Sequence, residues 1–189
     1  MKAILLIIDG LGDRPIEELR GRTPLEAAEK PNLNKLAARG VTGLLDPIGV
    51  GVKPGSDVAH LAIFGYDPAK YYPGRGPIEA IGLGVKLKQG DLALRANLAS
   101  VNKKLEVIDR RAGRIESGRV FEDSLKMRLK GIEFNFYAGI EHRGVVVLKG
   151  KNLSPQVSDC DPRRIGVKPL EVKPLIESRE AKNTAKLVN

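Results

Sequence analysis

The sequence predicts an α/β protein, a largely parallel sheet flanked by helices, with a smaller α+β module joined to it. Three observations carry this prediction. Residues 3–8, AILLII, form an unbroken aliphatic run, which is typical of a strand buried on both faces of a parallel sheet. Segments with helix start and stop signals follow this run. From about residue 100, strand-like alternation replaces that rhythm, so we expect a second module there.

The first elements can be placed in order along the chain. Thr23 to Glu26 has the pattern of a capping box, with Pro24 at the first helical position, so a helix should begin there. A second helix is predicted over residues 31–39, with Leu33 and Leu36 facing inward. Gly40 should end it, because glycine is the commonest residue just past a helix.

The middle of the chain alternates between predicted elements and loops. We expect a short strand over residues 41–48 and a helix beginning at Ser56. Residues 67–78 contain five Gly or Pro residues and are therefore predicted to be a loop. Alternating segments at 92–101 and 104–112 predict strands of a more antiparallel region.

The last segments predict a hairpin and a helix. Residues 134–150 should form two paired strands with Glu141 near the turn, and residues 175–189 have a helical pattern. We therefore divide the chain into residues 1–100, the inserted module 101–175, and residues 176–189 as the start of a helix. That helix stops without a capping Gly or Pro, which fits a truncated or partly ordered chain and an ordinary frayed C-terminus equally well.

Composition and charge narrow the functional classes. The 189 residues include 32 Lys and Arg against 23 Asp and Glu, a formal net charge of +9, which indicates an anionic partner, either nucleic acid or a phosphorylated small molecule. Aromatic residues are few and Trp is absent, which disfavours single-stranded nucleic acid. The single Cys160 excludes an internal disulfide and fits a reducing compartment. No apolar run is long enough to span a membrane, so we expect a cytoplasmic protein.

Two residues are candidates for chemistry at the predicted sheet. Ser56 stands behind a glycine at the start of an apolar helix, where unpaired N–H groups and the positive dipole end favour an anion. It is either a nucleophile or an ordinary helix cap. Asp9 follows the first aliphatic run and is either a cation ligand or a turn residue. His60 lies one helical turn after Ser56 and is interpreted as structural.

Basic residues in the second module are candidates for holding an anion. Arg110, Arg111 and Arg114 lie close together in DRRAGR, and arginine binds phosphate or carboxylate through a planar fork of donors. His142 and Arg143 form a weaker candidate at the start of a predicted strand. A solvated charged face explains either group equally well. The chain has only two His, too few for a complete two-metal site of any usual ligand set.

Taken together, these motifs resemble the archaeal-type cofactor-independent phosphoglycerate mutases of the alkaline phosphatase superfamily. The resemblance runs in order through essentially the whole chain, and its most specific parts are GSDVAHLAIFGYDP and GRGPIEA. The other matching segments are IIDGLGD, TPLEAAEKPNLNKLAARG, GDLALRANLASV and DRRAGRI.

The resemblance implies an alkaline-phosphatase-like fold whose N-terminal metal-binding part is residues 1–100. It implies that Ser56 becomes phosphorylated while 3-phosphoglycerate and 2-phosphoglycerate interconvert. It also implies that Asp9 and Ser56 bind two divalent metals, manganese foremost, with zinc, cobalt or magnesium as alternatives. No bisphosphoglycerate is required, and the module with Arg110, Arg111, Arg114, His142 and Arg143 should grip the substrate.

The departure from the family is length. Such proteins are about twice as long as this chain, and their remaining Asp and His ligands come in a second half without counterpart here. We therefore expect either the N-terminal half of a longer protein or a degenerate fragment, and the uncapped terminal helix favours the first. Three alternatives stay open: a metal-dependent phosphohydrolase or phosphotransferase of the same superfamily, an inactive fragment, or a basic nucleic-acid-binding module. Membrane and nucleic-acid partners are not expected, and whether the protein forms a homo-oligomer stays open.

Overall fold

The computed structural model describes residues 2–189, which divide into two compact units, Met1–Gly51 and Val52–Asn189. The first unit contains a 3₁₀ turn at Glu17–Leu19, helix α1 at Pro24–Ala27 and helix α2 at Pro31–Arg39.

The helix signals in this unit are confirmed. The Thr23 hydroxyl accepts a hydrogen bond from the Glu26 amide, and the Glu26 carboxylate accepts one from the Thr23 amide, so the capping box is complete. Helix α2 has the predicted bounds and ends at Gly40.

The predicted strands of the first unit are wrong for this structure. Residues 3–8 and 41–48 form no strand, and Ile4 is 95% exposed. None of residues 2–51 is buried, and Leu36 of α2 is 67% exposed rather than inward. A strand needs a neighbour to pair its N–H and C=O groups and to cover its side chains. The described residues provide no such neighbour for either segment, so the largely parallel sheet is not shown.

The second unit begins with three helices. These are α3 at Ser56–Ile63, α4 at Pro68–Tyr71 and α5 at Arg75–Gly82. The predicted start at Ser56 is confirmed, whereas the predicted loop at 67–78 is wrong because it contains α4 and the start of α5. Pro77 is the third residue of α5, where its missing N–H costs no intrahelical bond. Gly76 and Pro77 lie in the first turn of this helix, whereas Pro73 and Gly74 lie in the short loop of residues 72–74 between α4 and α5.

The second unit continues with six strands, which are β1 Leu92–Asn97, β2 Ser100–Val101, β3 Val107–Asp109, β4 Met127–Leu129, β5 Ile132–Ala138 and β6 Arg143–Lys149. Four of them form an antiparallel sheet at the centre of the unit, in the order β1-β6-β5-β4. The predicted hairpin at 134–150 is confirmed as β5 and β6, with Glu141 in its turn. A separate ribbon joins β2 and β3, and the short β4 was not predicted.

The sheet is covered on both faces. Side chains of β6 alternate, so Val145 and Val147 pack with Ala80 of α5, whereas Leu148 packs with Leu187 on the opposite face. Leu187 belongs to helix α6, Arg179–Val188, which confirms the predicted C-terminal helix with a later start. The fold is thus a mixed α/β arrangement with a mainly antiparallel sheet.

The domain division near residue 100 stays a prediction. The strands on its two sides, β1 and β6, pair in register from Leu92 opposite Leu148 to Asn97 opposite Arg143. Across residues 2–189, none of the helices is both long and apolar enough to cross a membrane.

Candidate functional site

Ser56 is the first residue of α3, and Gly55 rather than Ser56 is its N-cap. The Ser56 side chain is exposed, and among the described residues its hydroxyl makes no hydrogen bond. The alternative role, a helix-capping hydroxyl, is therefore not the one seen here. The hydroxyl lies at the positive end of the helix dipole, so an anion attached to it would be stabilised there.

The neighbouring Asp57 accepts hydrogen bonds at the same end of α3. Its carboxylate accepts a hydrogen bond from the Tyr72 hydroxyl. Burial raises the pKa of Asp57, but the Tyr72 bond, the backbone N–H groups of Val58 and Asp57, and Arg75 together hold its pKa below the usual value. Burial first, and then the bond to Asp57, raise the pKa of Tyr72 to about 12.

A chain of ion pairs links this helix end to the sheet. Arg75 Nε lies 3.8 Å from Asp57 Oδ2 and 3.6 Å from Glu79 Oε1. Glu79 Oε1 lies 3.3 Å from Arg95 Nε on β1. The charges of Asp57, Arg75, Glu79 and Arg95 balance, so this network holds α3, α5 and β1 together without adding net charge beside Ser56.

Gly76 explains how α5 comes close enough to the sheet. A Cβ atom at this position would lie 2.1 Å from the Ala93 carbonyl oxygen on β1, so only glycine fits. The GRGPIEA motif therefore has a structural role, the close packing of α5 on β1.

His60 is tied to backbone. Its Nδ1 donates a hydrogen bond to the Ser56 carbonyl oxygen at 2.6 Å. The ring thus supports the first turn of α3, and this agrees with the structural interpretation of His60.

Asp9 belongs to the first unit and is exposed there. Its carboxylate makes no hydrogen bond or ion pair to any residue within 2–189. Carboxylate and hydroxyl oxygens such as those of Asp9 and Ser56 suit a hard divalent cation. No group of three or more His, Cys, Asp or Glu side chains that could hold a metal is found within the part of the chain described. These residues therefore do not complete a metal site.

The segment from Asp109 to Arg114 forms a tight, charged turn. The Asp109 carboxylate accepts hydrogen bonds from the backbone N–H of Arg111 at 2.7 Å and of Gly113 at 2.9 Å. These two bonds lower the pKa of Asp109, and the nearby charges of Arg111 and His142 lower it further. Asp109 thus holds the segment that carries the three predicted arginines in one turn.

His142 is largely buried, with 7% exposure. Its Nδ1 has no hydrogen-bond partner within residues 2–189, because Glu141 Oε2, at 3.6 Å, is too far for a hydrogen bond. A buried polar atom left unpaired is costly, so His142 has an unused donor or acceptor for another group.

The predicted arginines differ in their surroundings. Arg110 forms a two-pronged pair with Asp161, Nε to Oδ1 at 3.1 Å and a terminal nitrogen to Oδ2 at 2.6 Å. This bond raises the pKa of Arg110 and lowers that of Asp161. Arg114 and Arg143 are exposed and have no ion pair within 2–189.

Sequence reasoning missed several of these partners. These are Tyr72, Arg75, Glu79 and Arg95, which lie in or near the motifs that carry the family resemblance. None of them has a sequence pattern that indicates a chemical role. Asp161 is 51 residues from Arg110, a separation at which no spacing pattern indicates a pair.

Comparisons with known proteins address the family directly. Residues 37–189 match the family model described as 2,3-bisphosphoglycerate-independent phosphoglycerate mutase. The relative of that name from Saccharolobus islandicus is 53% identical over 192 aligned residues, which cover 100% of this chain and 46% of the relative. The relative from Methanosphaera stadtmanae is 48% identical, with 100% and 47% covered.

A solved structure agrees with these sequences. The cofactor-independent phosphoglycerate mutase from Thermoplasma acidophilum superimposes with a TM-score of 0.60 at 42% identity, covering 97% of this chain and 48% of that one.

All of these matches carry the name of a mutase that does not depend on the bisphosphoglycerate cofactor. The chain belongs to the family of 2,3-bisphosphoglycerate-independent phosphoglycerate mutases. It spans about half the length of the curated relatives that it matches, 46% of the Saccharolobus islandicus protein.

Proposed function

We propose that this chain carries the nucleophile and the substrate-gripping module of a phosphoglycerate mutase that interconverts 3-phosphoglycerate and 2-phosphoglycerate. The observation that carries the proposal is family membership across the whole chain, together with Ser56 exposed at the first position of α3. The family description specifies independence from 2,3-bisphosphoglycerate. We propose a cytoplasmic protein whose partner is this small phosphorylated substrate.

In this proposal a bond forms between the Ser56 oxygen and the substrate phosphorus while the bond from phosphorus to the glycerate oxygen breaks. The Ser56 hydroxyl proton ends on that glycerate oxygen, and His60 Nδ1 does not take it because it already donates to the Ser56 carbonyl oxygen. The helix dipole stabilises the phosphoserine. The other glycerate hydroxyl then takes the phosphoryl group, and its proton returns to the Ser56 oxygen.

The second module is proposed to hold glycerate while it turns. Support comes from Arg111, whose backbone N–H binds Asp109, and from the buried His142, whose Nδ1 has no partner within residues 2–189. Arg114 and Arg143 are exposed and available. Arg110 is the weakest member of this set, because Asp161 already occupies its donor fork.

We also propose that Asp9 and Ser56 contribute ligands to a pair of divalent metals, most simply manganese. A bound metal would favour the ionised serine. The described residues contain no group of three or more His, Cys, Asp or Glu side chains that could hold a metal, so we propose that the remaining ligands lie in the part of the relatives' length that this chain does not span. We propose in the same way that residues 3–8 become a strand of an alkaline-phosphatase-like parallel sheet when partner strands are present.

A phosphohydrolase is the alternative that the site chemistry also permits, because it needs the same phosphoserine with water as the acceptor. Release of inorganic phosphate in place of the isomeric phosphoglycerate would identify it.

The test is to trap the phosphoenzyme. The complete natural polypeptide containing these residues is incubated with phosphate-labelled phosphoglycerate, quenched with acid and mapped by peptide mass spectrometry. We expect label on Ser56 and its loss in Ser56→Ala, whereas Ser124→Ala, at an exposed turn, should keep it. Label on another residue, or full turnover by Ser56→Ala, would overturn the assignment.

Residues 1–189 alone should show little or no mutase turnover, even with excess manganese. The reason is that two metals need roughly six or more protein ligands, and this chain offers Asp9 and Ser56. A coupled assay against the complete polypeptide measures the difference. Comparable rates would show that the ligand set is contained within these residues.

A further inference from the structure

A basic groove in the second unit lies between α6 and the end of the sheet where β5 begins and β6 ends. Its volume is about 370 Å³, within the range of small-molecule sites. Ile132 and Leu187 form its apolar floor. Its cationic lining consists of Lys130, Lys151, Arg179, Lys182 and Lys186.

The groove has a rigid frame. Lys130 and Gly131, with φ of 49° and 80°, are the two residues between β4 and β5, a tight turn with both φ values positive. Helix α6 is fixed beside it, because Asn183 Nδ2 donates to the Asn152 carbonyl at 2.9 Å. The Ser154 amide also donates to the buried Thr184 hydroxyl at 2.9 Å.

The charge of the groove is largely uncompensated. None of its lining residues is an acid, and among the ion pairs of residues 2–189 only Lys182 is engaged, with the exposed Glu177. Arg179, Lys182 and Lys186 follow the spacing of one helix face. Like charges held together this way destabilise the fold unless an anion joins them.

This groove lies far from the residues near His142 that are proposed to bind glycerate. His142 immediately precedes β6, and Lys151 follows its end. Seven strand residues at about 3.3 Å each place these ends roughly 20 Å apart. A ligand of the groove is therefore separate from the phosphoglycerate held near His142.

We propose that the groove binds a compact polyphosphate chain, either free or as the tail of a nucleotide. Several phosphates in a row match several cations along one groove, whereas one phosphate would meet only part of them. No aromatic residue lines the groove, which disfavours stacked nucleic-acid bases.

The test is calorimetric titration of residues 1–189 with inorganic tripolyphosphate at low ionic strength. Lys182→Gln/Lys186→Gln should weaken binding about tenfold, since two exposed charge pairs are lost. The matched control Lys103→Gln/Lys104→Gln removes two exposed lysines from the β2–β3 turn and should change affinity less than about twofold. Added salt should weaken binding to the wild-type chain.

A second groove variant tests whether a loss of binding comes from lost charge or from unfolding of α6. Lys130→Asn/Lys151→Gln leaves the helix intact, and asparagine tolerates the positive φ at residue 130. Circular dichroism confirms that each variant is folded, and a similar loss in this pair supports the groove.

A parallel titration with ATP distinguishes a free phosphate chain from the tail of a nucleotide. Equal affinity for tripolyphosphate and metal-free ATP supports recognition of the chain alone, and tighter ATP binding supports a nucleotide tail. No binding of either at millimolar concentration, equal losses in the control variant, or much tighter binding of a DNA oligonucleotide would overturn the proposal.

Discussion

Residues 2–51 and residues 52–189 contain similar aliphatic segments, but only the second unit buries them. The run at residues 3–8 leaves Ile4 95% and Leu6 72% exposed. The comparable run in β6 leaves Val145, Val147 and Leu148 with 0% exposure. Residues 3–8 are all aliphatic, whereas β6 also contains Arg143 and Lys149, so hydrophobicity does not decide which of the two segments becomes a strand.

Pairing makes the difference. Strand β6 lies between β1 and β5, which satisfy its backbone on both edges, and α5 and α6 cover its faces. The first unit offers residues 3–8 neither a neighbouring strand nor a covering helix within the described residues. An aliphatic run therefore predicts a potential strand, and its burial depends on distant parts of a chain.

The largest expected effect contrasts leucines of the two units. Leu148→Ala should lower the free energy of unfolding of the second unit by about 2–5 kcal/mol, because it leaves a cavity in a closed core. Leu6→Ala should change it by less than about 0.5 kcal/mol, because Leu6 is exposed. Urea denaturation followed by circular dichroism measures both. Equal losses of unfolding free energy in the two variants would contradict the difference in burial between the two units.

The next effect concerns how closely α5 approaches the sheet. Gly76→Ala should lower the free energy of unfolding by about 1–3 kcal/mol or more, because the new Cβ would lie 2.1 Å from the Ala93 carbonyl oxygen. Gly82 lies in the same helix, and a Cβ atom there would have no atom within 4 Å. Gly82→Ala should therefore raise the free energy of unfolding by about 0.4–1 kcal/mol. Thermal unfolding of the two variants provides the measurement, and a neutral Gly76→Ala would contradict the packing described.

Local signals were reliable where local bonds decide the structure. The Thr23–Glu26 capping box, the bounds of α2, the start of α3 at Ser56 and the hairpin of β5 and β6 were all predicted from residues within a few positions of one another. The parallel sheet was not obtained, because it requires partners far away in sequence.

The candidate site also contains residues that local sequence identifies and partners that it does not. Ser56 could be selected from its place before an apolar helix, and Asp109 to Arg114 from its density of charge. The partners of these residues, Tyr72 with Asp57 and Asp161 with Arg110, depend on tertiary contacts that no spacing indicates. The roles of Asp9, Ser56 and the five basic residues stay predictions.

A smaller effect concerns pH at the α3 terminus. The pKa of Tyr72 is raised from 10.0 to about 12 in the folded chain, so the folded state holds this proton more tightly than the unfolded state. Its stabilising contribution is complete below pH 10 and is lost as the pH rises toward 12. The tyrosinate absorbance of the wild type should therefore include a late phase that Tyr72→Phe lacks.

Tyr66→Phe is the matched control, because Tyr66 is 54% exposed and should leave the late phase unchanged. If Tyr72→Phe titrates like the wild type, the bond from Tyr72 to Asp57 is not formed in solution.

Amide hydrogen exchange of residues 1–189 tests most directly the claim that pairing, rather than hydrophobicity, decides burial. The amides of β5 and β6 should exchange orders of magnitude more slowly than those of residues 3–8, which should exchange at nearly unprotected rates. Protection of residues 3–8 comparable to that of β6 would contradict this account, because it would show that the N-terminal run finds a partner strand within this chain.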